Sequence, residues 1–142
     1  SYSYHSDMPM APADPLYLMW CGVNRITTSG RVAAPEQKIS REGALKAVTI
    51  NAAYSLKMEN EIGSIEPGKL ANFTILSDNP VTCDVKKIKE IQVTGTVLEG
   101  KSWLIKRSDI STSMLQVGKN IPDQQFALNA FDHVFQVSHG KE

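Results

Sequence analysis

The opening of the chain restricts the possible folds most, because an alternating pattern is followed directly by a proline-rich loop and a capped helix. Residues 1–7 alternate tyrosines with small or polar side chains, which predicts a short strand. Two prolines within residues 8–13 lack amide donors, so this stretch is expected to be a loop. Asp14 is an N-cap signal for a helix over residues 15–24, which begins with a proline. The apolar stripe of this helix consists of Leu16, Met19, Trp20 and Val23.

A second helix and then a small sheet are predicted further along the chain. Ser40 is a favourable N-cap for a helix over residues 41–56. Residues 66–69 have proline second and glycine third, which is typical of a type II turn between strands. Alternation over residues 91–97, followed by a hairpin return that Glu99 and Gly100 begin, predicts an antiparallel sheet over residues 63–106. The residues expected to share one apolar face of the helix are Leu45, Val48 and Ala52, and those expected to share one face of the first strand are Ala71, Phe73 and Ile75.

Composition excludes several classes of partner. Equal numbers of acidic and basic residues, 15 of each, leave no net charge to favour nucleic acid or an anionic membrane. Cys21 and Cys83 stand far apart, outside any CxxC pattern, and are expected to be free thiols. No apolar run approaches the roughly 20 residues of a membrane-spanning helix, and no leader opens the chain, so a cytoplasmic location is expected. The opening in mid-strand also predicts a fragment, and a leader on a longer parent would not be visible in it.

The end of the first predicted strand is the one place where reactive groups converge. His5 and Asp7 fall on one strand face, and strand, loop and helix together are the β/α unit of a barrel, which carries catalytic groups at the C-terminal ends of its strands. Spacing alone favours a structural role, in which Asp7 accepts hydrogen bonds from turn amides and His5 is an ordinary strand residue. The other histidines are His133 and His139, and no HxH, HExxH or GxSxG spacing occurs, so this chain alone cannot assemble a catalytic metal site.

Four blocks of the sequence resemble one family in order and spacing. The run HSDMP at residues 5–9, followed by DPL at residues 14–16, resembles the "SDxPV...DPL" signature near the end of the barrel in the YtcJ-like branch of the amidohydrolase superfamily. The resemblance extends from His5 to about Leu104. The three further blocks are residues 35–56, 62–80 and 88–101.

The resemblance implies an α+β fragment of a two-part enzyme. Residues 1–60 correspond to the last β/α unit and late helix of a (β/α)8 barrel, and residues 61–107 to the C-terminal strands of the amidohydrolase β-sandwich. Residues 108–142 form a tail, in which a helix is expected to start near Asp123. The family's sandwich combines strands from both ends of the chain, so a sheet without its partners is expected to self-associate or to be marginally stable.

The resemblance also implies roles for individual residues. Asp7 matches the aspartate that contacts the active-site metal and acts as general base, and His5 is expected in the substrate pocket. Met8 departs from the family pattern, which leaves no inference about substrate from that side chain. The expected cofactor in the parent is a divalent metal, zinc by preference, and no tight binding to this chain alone is expected.

The expected function is hydrolysis of a non-peptide C–N bond, in an amide, formamide or cyclic amide, by metal-activated water in the parent protein. The isolated chain is expected to be inactive, and the expected partner is a small-molecule amide, not nucleic acid or a membrane. The first alternative is a regulatory or ligand-binding protein on the same scaffold. The second is a free-standing interaction module.

Overall fold

The computed structural model describes residues 1–105. Predictions about residues 108–142, including the helix near Asp123, lie outside the described residues. The elements in chain order are α1 (Pro15–Asn24), α2 (Arg41–Val48), α3 (Ile50–Ser55), β1 (Phe73–Leu76), β2 (Val93–Leu98) and β3 (Lys101–Leu104), with 3₁₀ helices at Pro35–Gln37 and Val85–Glu90.

Helix α1 has the predicted boundaries because local signals fix both of its ends. The Asp14 carboxylate accepts hydrogen bonds from the amides of Leu16 at 3.0 Å and Tyr17 at 3.2 Å. Arg25 ends the helix with a left-handed backbone, and its amide donates to the Cys21 carbonyl. The predicted apolar stripe is buried, which confirms it: its members are Leu16, Met19, Trp20 and Val23.

Residues 1–7 do not form the predicted strand. The Tyr4 amide donates to the Ala47 carbonyl at 3.4 Å, and the Asn51 side chain donates to the Tyr2 carbonyl at 3.0 Å. These backbone groups therefore bond to α2 and α3, and no neighbouring strand pairs with the segment within residues 1–105. The strand prediction was wrong, because alternation assigns side chains to faces but a strand also requires a ladder with a neighbour.

The second predicted helix is divided at Thr49. The Thr49 hydroxyl donates to the Leu45 carbonyl at 2.8 Å, and the Thr49 amide donates to the Lys46 carbonyl at 3.2 Å, which interrupts the regular helical pattern. The prediction of one continuous helix over residues 41–56 was wrong, because a threonine hydroxyl that bonds back to the preceding turn competes with regular helix geometry.

The predicted apolar face of this helical pair is only partly buried. Leu45, Val48 and Ala52 are only half-buried. Small side chains occupy the buried positions, and such side chains allow close packing against neighbouring elements. The buried alanines are Ala44, Ala47 and Ala53.

The predicted antiparallel sheet is confirmed, with strand order β1-β2-β3. The prediction that strands flank the turn at residues 66–69 was wrong on its N-terminal side, because no strand precedes β1 within residues 1–105. The turn before it closes with a hydrogen bond from the Lys69 amide to the Glu66 carbonyl at 3.2 Å, and Gly68 has a φ of +94°, as the type II pattern requires. Glu99 and Gly100 both have positive φ, +48° and +80°, and form the two-residue hairpin between β2 and β3.

One face of the sheet is only partly covered by the described residues. Phe73 is half-buried and Ile75 is 38% exposed, whereas Thr74 on the opposite face is buried. Across the sheet, Leu104 is 70% exposed on the same side as Ile75. Ile75 and Leu104 therefore form an exposed apolar patch on this face of the sheet.

The main core lies between α1 and the 3₁₀ helix Val85–Glu90, an element that the sequence patterns did not predict. The Trp20 indole donates to the Lys86 carbonyl at 3.0 Å, and the Asn24 side chain donates to the Val85 carbonyl at 2.8 Å. This core therefore joins the helical half of the chain to the connection between β1 and β2. The buried members of the core cluster are Leu16, Met19, Trp20, Val23, Ala44, Ile88 and Ile91.

Candidate functional site around Asp7

Asp7 stands at the first position of a tight turn that leads from the N-terminal segment into the prolyl loop. Its backbone has a φ of +52°, which non-glycine residues rarely adopt and which aspartate tolerates better than most. The Met10 amide donates to the Asp7 carbonyl at 2.8 Å and closes the turn. The turn presents the Asp7 side chain to solvent.

His5 is held next to Asp7 by a direct hydrogen bond. The Asp7 amide donates to Nδ1 of His5 at 3.1 Å. The structure therefore brings the two predicted site residues together, although the link is a backbone contact and not the shared strand face that the sequence indicated. An amide can only donate, so Nδ1 is the acceptor and the neutral imidazole carries its hydrogen on Nε2.

The Asp7 carboxylate has the chemical character of a metal ligand. It is exposed, and within the described part of the chain it makes no hydrogen bond or ion pair with another side chain. A carboxylate and an imidazole are both suitable ligands for zinc. The described residues contain no group of three or more acidic, histidine or cysteine side chains placed to hold a metal, so the remaining ligands of any complete site would have to come from elsewhere.

Tyr4 anchors the segment that carries His5 and Asp7. Its ring lies against α1, and its hydroxyl occupies the space that a side chain at Gly22 would need. Burial, with a smaller contribution from Tyr2, raises the pKa of the Tyr4 phenol to about 12. No sequence pattern indicated this support, because Tyr4 and Gly22 meet only in the folded chain.

The two cysteines are free thiols, as predicted. Burial raises the pKa of Cys21 and also that of Cys83. A thiol whose pKa is raised has little thiolate at neutral pH, so neither cysteine is suited to act as a nucleophile.

None of the helices within residues 1–105 combines the length and the apolar character that are needed to cross a bilayer.

The described residues form a small α+β unit that presents a carboxylate and an imidazole in one exposed turn. The model of the amidohydrolase family matches residues 1–103. The chain belongs to the amidohydrolase family, as the sequence blocks predicted.

Individual relatives agree with this assignment. Over 98 residues the chain is 37% identical to the N-substituted formamide deformylase of Arthrobacter pascens, an alignment that covers 69% of this chain and 18% of the relative. It is 43% identical over 75 residues to Protein LONG AFTER FAR-RED 3 of Arabidopsis thaliana, covering 52% of this chain and 13% of the relative. An adenine deaminase of Clostridium botulinum is 29% identical over 82 residues, an alignment that covers 58% of this chain and 12% of the relative.

The chain therefore spans less than a fifth of the length of each of these relatives. No solved structure matches it at a comparable level of significance.

Proposed function

We propose that this chain acts as the C-terminal part of a metal-dependent amidohydrolase that hydrolyses a non-peptide C–N bond in a small molecule. The observation that carries the proposal is the family match over residues 1–103, which includes the exposed Asp7 turn. The names of two relatives, a formamide deformylase and an adenine deaminase, describe reactions at such bonds. By itself, this chain is proposed to be inactive.

The proposed architecture assigns residues 1–60 to the end of a (β/α)8 barrel and residues 61–107 to the C-terminal strands of a β-sandwich. Residues 108–142 are assigned to a tail. The antiparallel order β1-β2-β3 is compatible with the sandwich assignment.

In the proposed mechanism, Asp7 would hold a divalent metal, zinc by preference, and would act as the general base. When bound, the metal would lower the pKa of water and polarise the scissile carbonyl. The Asp7 carboxylate is positioned to accept a proton from the attacking water, since the turn leaves both of its oxygens without competing side-chain partners in residues 1–105. His5 lies beside it, and its Nδ1 accepts a hydrogen bond from the Asp7 amide.

The alternative proposal is a ligand-binding or regulatory protein on the same scaffold. The name of the Arabidopsis relative, which is 43% identical over 75 residues, states no reaction. A turnover assay distinguishes the two proposals, because a binding protein would retain an amide-type ligand unchanged, whereas an enzyme would hydrolyse it.

A direct test uses the full-length, zinc-loaded protein that contains this chain and a panel of an N-substituted formamide, an N-acyl amine and a cyclic amide. Hydrolysis of at least one compound is expected. The Asp7→Asn variant should lower kcat by about a hundredfold or more, the usual contribution of a positioned general base. The matched control is Asp14→Asn, which should stay close to wild type because asparagine also caps a helix N-terminus. Near-normal turnover in Asp7→Asn would remove Asp7 from the proposed role.

A further inference from the structure

Asp7 holds a backbone conformation that is unfavourable unless its surroundings stabilise it. A left-handed φ, here +52°, is unfavourable for a residue that carries a Cβ atom. Two hydrogen bonds hold the backbone of this residue, one at its amide and one at its carbonyl. The amide of Asp7 donates to His5 Nδ1 at 3.1 Å, and its carbonyl accepts from the Met10 amide at 2.8 Å.

The residues just before His5 are fixed to the helices. The Tyr2 carbonyl accepts a hydrogen bond from the Asn51 side chain at 3.0 Å, the hydroxyls of Ser3 and Ser55 lie 3.0 Å apart, and the Tyr4 amide donates to α2. His5 is the next residue, and its ring makes the contact with Asp7. His5 therefore links a segment anchored on α2 and α3 to the Asp7 turn.

We propose that His5 is a positioning residue, whose Nδ1 fixes the backbone of Asp7 and so determines where the carboxylate is presented. This inference rests on the proposed function, because it treats the Asp7 carboxylate as the group that must be placed. It assigns His5 a role through Asp7, whereas the resemblance alone placed the imidazole in the substrate pocket. The contact that carries it is the hydrogen bond from the Asp7 amide to Nδ1 of His5.

Two substitutions separate this role from contact with substrate. His5→Asn places an amide oxygen the same number of bonds from Cα as Nδ1, so it can still accept from the Asp7 amide, but it lacks any group at the position of Nε2. His5→Leu has comparable bulk and no acceptor. A positioning role predicts that His5→Asn keeps both the protection of the Asp7 amide and the activity, whereas His5→Leu loses both.

The first readout needs neither metal nor turnover. Hydrogen exchange of the Asp7 amide, measured at single-residue resolution in the metal-free full-length protein, should be at least severalfold faster in His5→Leu than in wild type. In His5→Asn it should match wild type. Unchanged exchange in His5→Leu would overturn the proposal, because it would mean that Nδ1 does not hold this amide.

The second readout is catalysis by the zinc-loaded full-length enzyme. His5→Leu should lower kcat by about tenfold or more, the effect of about 1.4 kcal/mol on the barrier, with KM changed much less. His5→Asn should restore kcat to within about threefold of wild type. Equal loss of kcat in both variants, with normal Asp7 exchange in His5→Asn, would assign the effect to Nε2 and overturn the positioning role.

Failure of the proposed function would be recognised separately. If Asp7→Asn retained activity, Asp7 would not be the base. The exchange comparison between His5→Leu and His5→Asn would still decide whether His5 fixes the turn.

Discussion

The hydroxyl of Tyr4 lies against Gly22 of α1, in the space that a side chain at position 22 would occupy. Through this contact, helix α1 supports the segment that carries His5 and Asp7. A glycine in a helix costs about 1 kcal/mol relative to alanine, so its presence at this position needs a packing reason, and the Tyr4 ring provides one.

Gly22→Ala should therefore destabilise the chain instead of stabilising it. The new Cβ would collide with Tyr4 and also meet the Ile39 side chain, and overpacking of this kind costs about 1–3 kcal/mol. Urea unfolding measures the change. In the background of Tyr4→Ala, the same substitution should be neutral or stabilising, since the collision with Tyr4 is gone and the helix propensity of alanine remains. Equal effects in both backgrounds would contradict the contact.

Tyr4 should also make stability depend on alkaline pH. Burial raises its pKa from 10.0 to about 12, so between these values the folded chain holds a proton that the unfolded chain has released. The free energy of unfolding gains its full Tyr4 contribution below about pH 10 and loses it as the pH rises through this window. Urea unfolding at about pH 9 and about pH 11 should show a larger loss in wild type than in Tyr4→Phe.

The control for this pH prediction is Tyr54→Phe. Tyr54 is 61% exposed, so its removal should leave the alkaline loss as large as in wild type. A Tyr4→Phe variant with the same alkaline loss as wild type would show that the Tyr4 phenol is not buried as described.

Asn24 should be more important for stability than a typical polar residue. It is 5% exposed, and its side-chain amide donates to the Val85 carbonyl at 2.8 Å and the Trp20 carbonyl at 3.0 Å. Asn24→Ala would leave the partly buried Val85 carbonyl without this donor, which costs about 1 kcal/mol or more. The exposed Asn60 provides a control, because Asn60→Ala should change the unfolding free energy by less than about 0.5 kcal/mol. Equal changes at both sites would contradict the role given to Asn24.

The uncovered face of the sheet should drive self-association of the chain. Ile75 and Leu104 lie on the two sides of Gly95, and a Cβ built on Gly95 would be 3.4 Å from Ile75 Cδ1 and 2.9 Å from Leu104 Cδ2. These side chains are 38% and 70% exposed. Size-exclusion chromatography with light scattering should show oligomers for the wild-type chain and a shift towards monomer for the Ile75→Ser, Leu104→Ser double variant.

A serine substitution at the exposed Tyr54 of α3 controls for a general loss of apolar surface and should leave the oligomers in place. A wild-type chain that is monomeric and has high thermal stability would contradict this prediction.

Sequence signals predicted correctly those elements that depend on contacts between residues a few positions apart. The cap at Asp14 and the apolar stripe predicted α1, and the Glu99–Gly100 pair predicted the hairpin, because both depend on residues a few positions apart. The 3₁₀ helix Val85–Glu90 was missed because its place in the core depends on Trp20, 66 residues earlier, whose indole bonds to Lys86. The division at Thr49 was missed because it depends on where one hydroxyl donates.

The candidate site was predicted only in part. The sequence indicated that His5 and Asp7 lie close together, and the structure agrees. Alternation could not show that the Asp7 backbone adopts a positive φ or that its amide donates to the imidazole, since both follow from the turn that ends at Met10. Metal binding, the catalytic role of Asp7 and the contribution of His5 to a pocket stay predictions.

The most direct measurement of the central claim is a crystal structure of the zinc-loaded, full-length protein that contains this chain, with anomalous scattering recorded at the zinc edge. If Asp7 is a metal ligand, an anomalous peak should lie in direct contact with a carboxylate oxygen of Asp7. That contact should be lost in Asp7→Ala, with α1 unchanged. A zinc site whose ligands do not include Asp7, with the Asp7 carboxylate turned into bulk solvent, would contradict it.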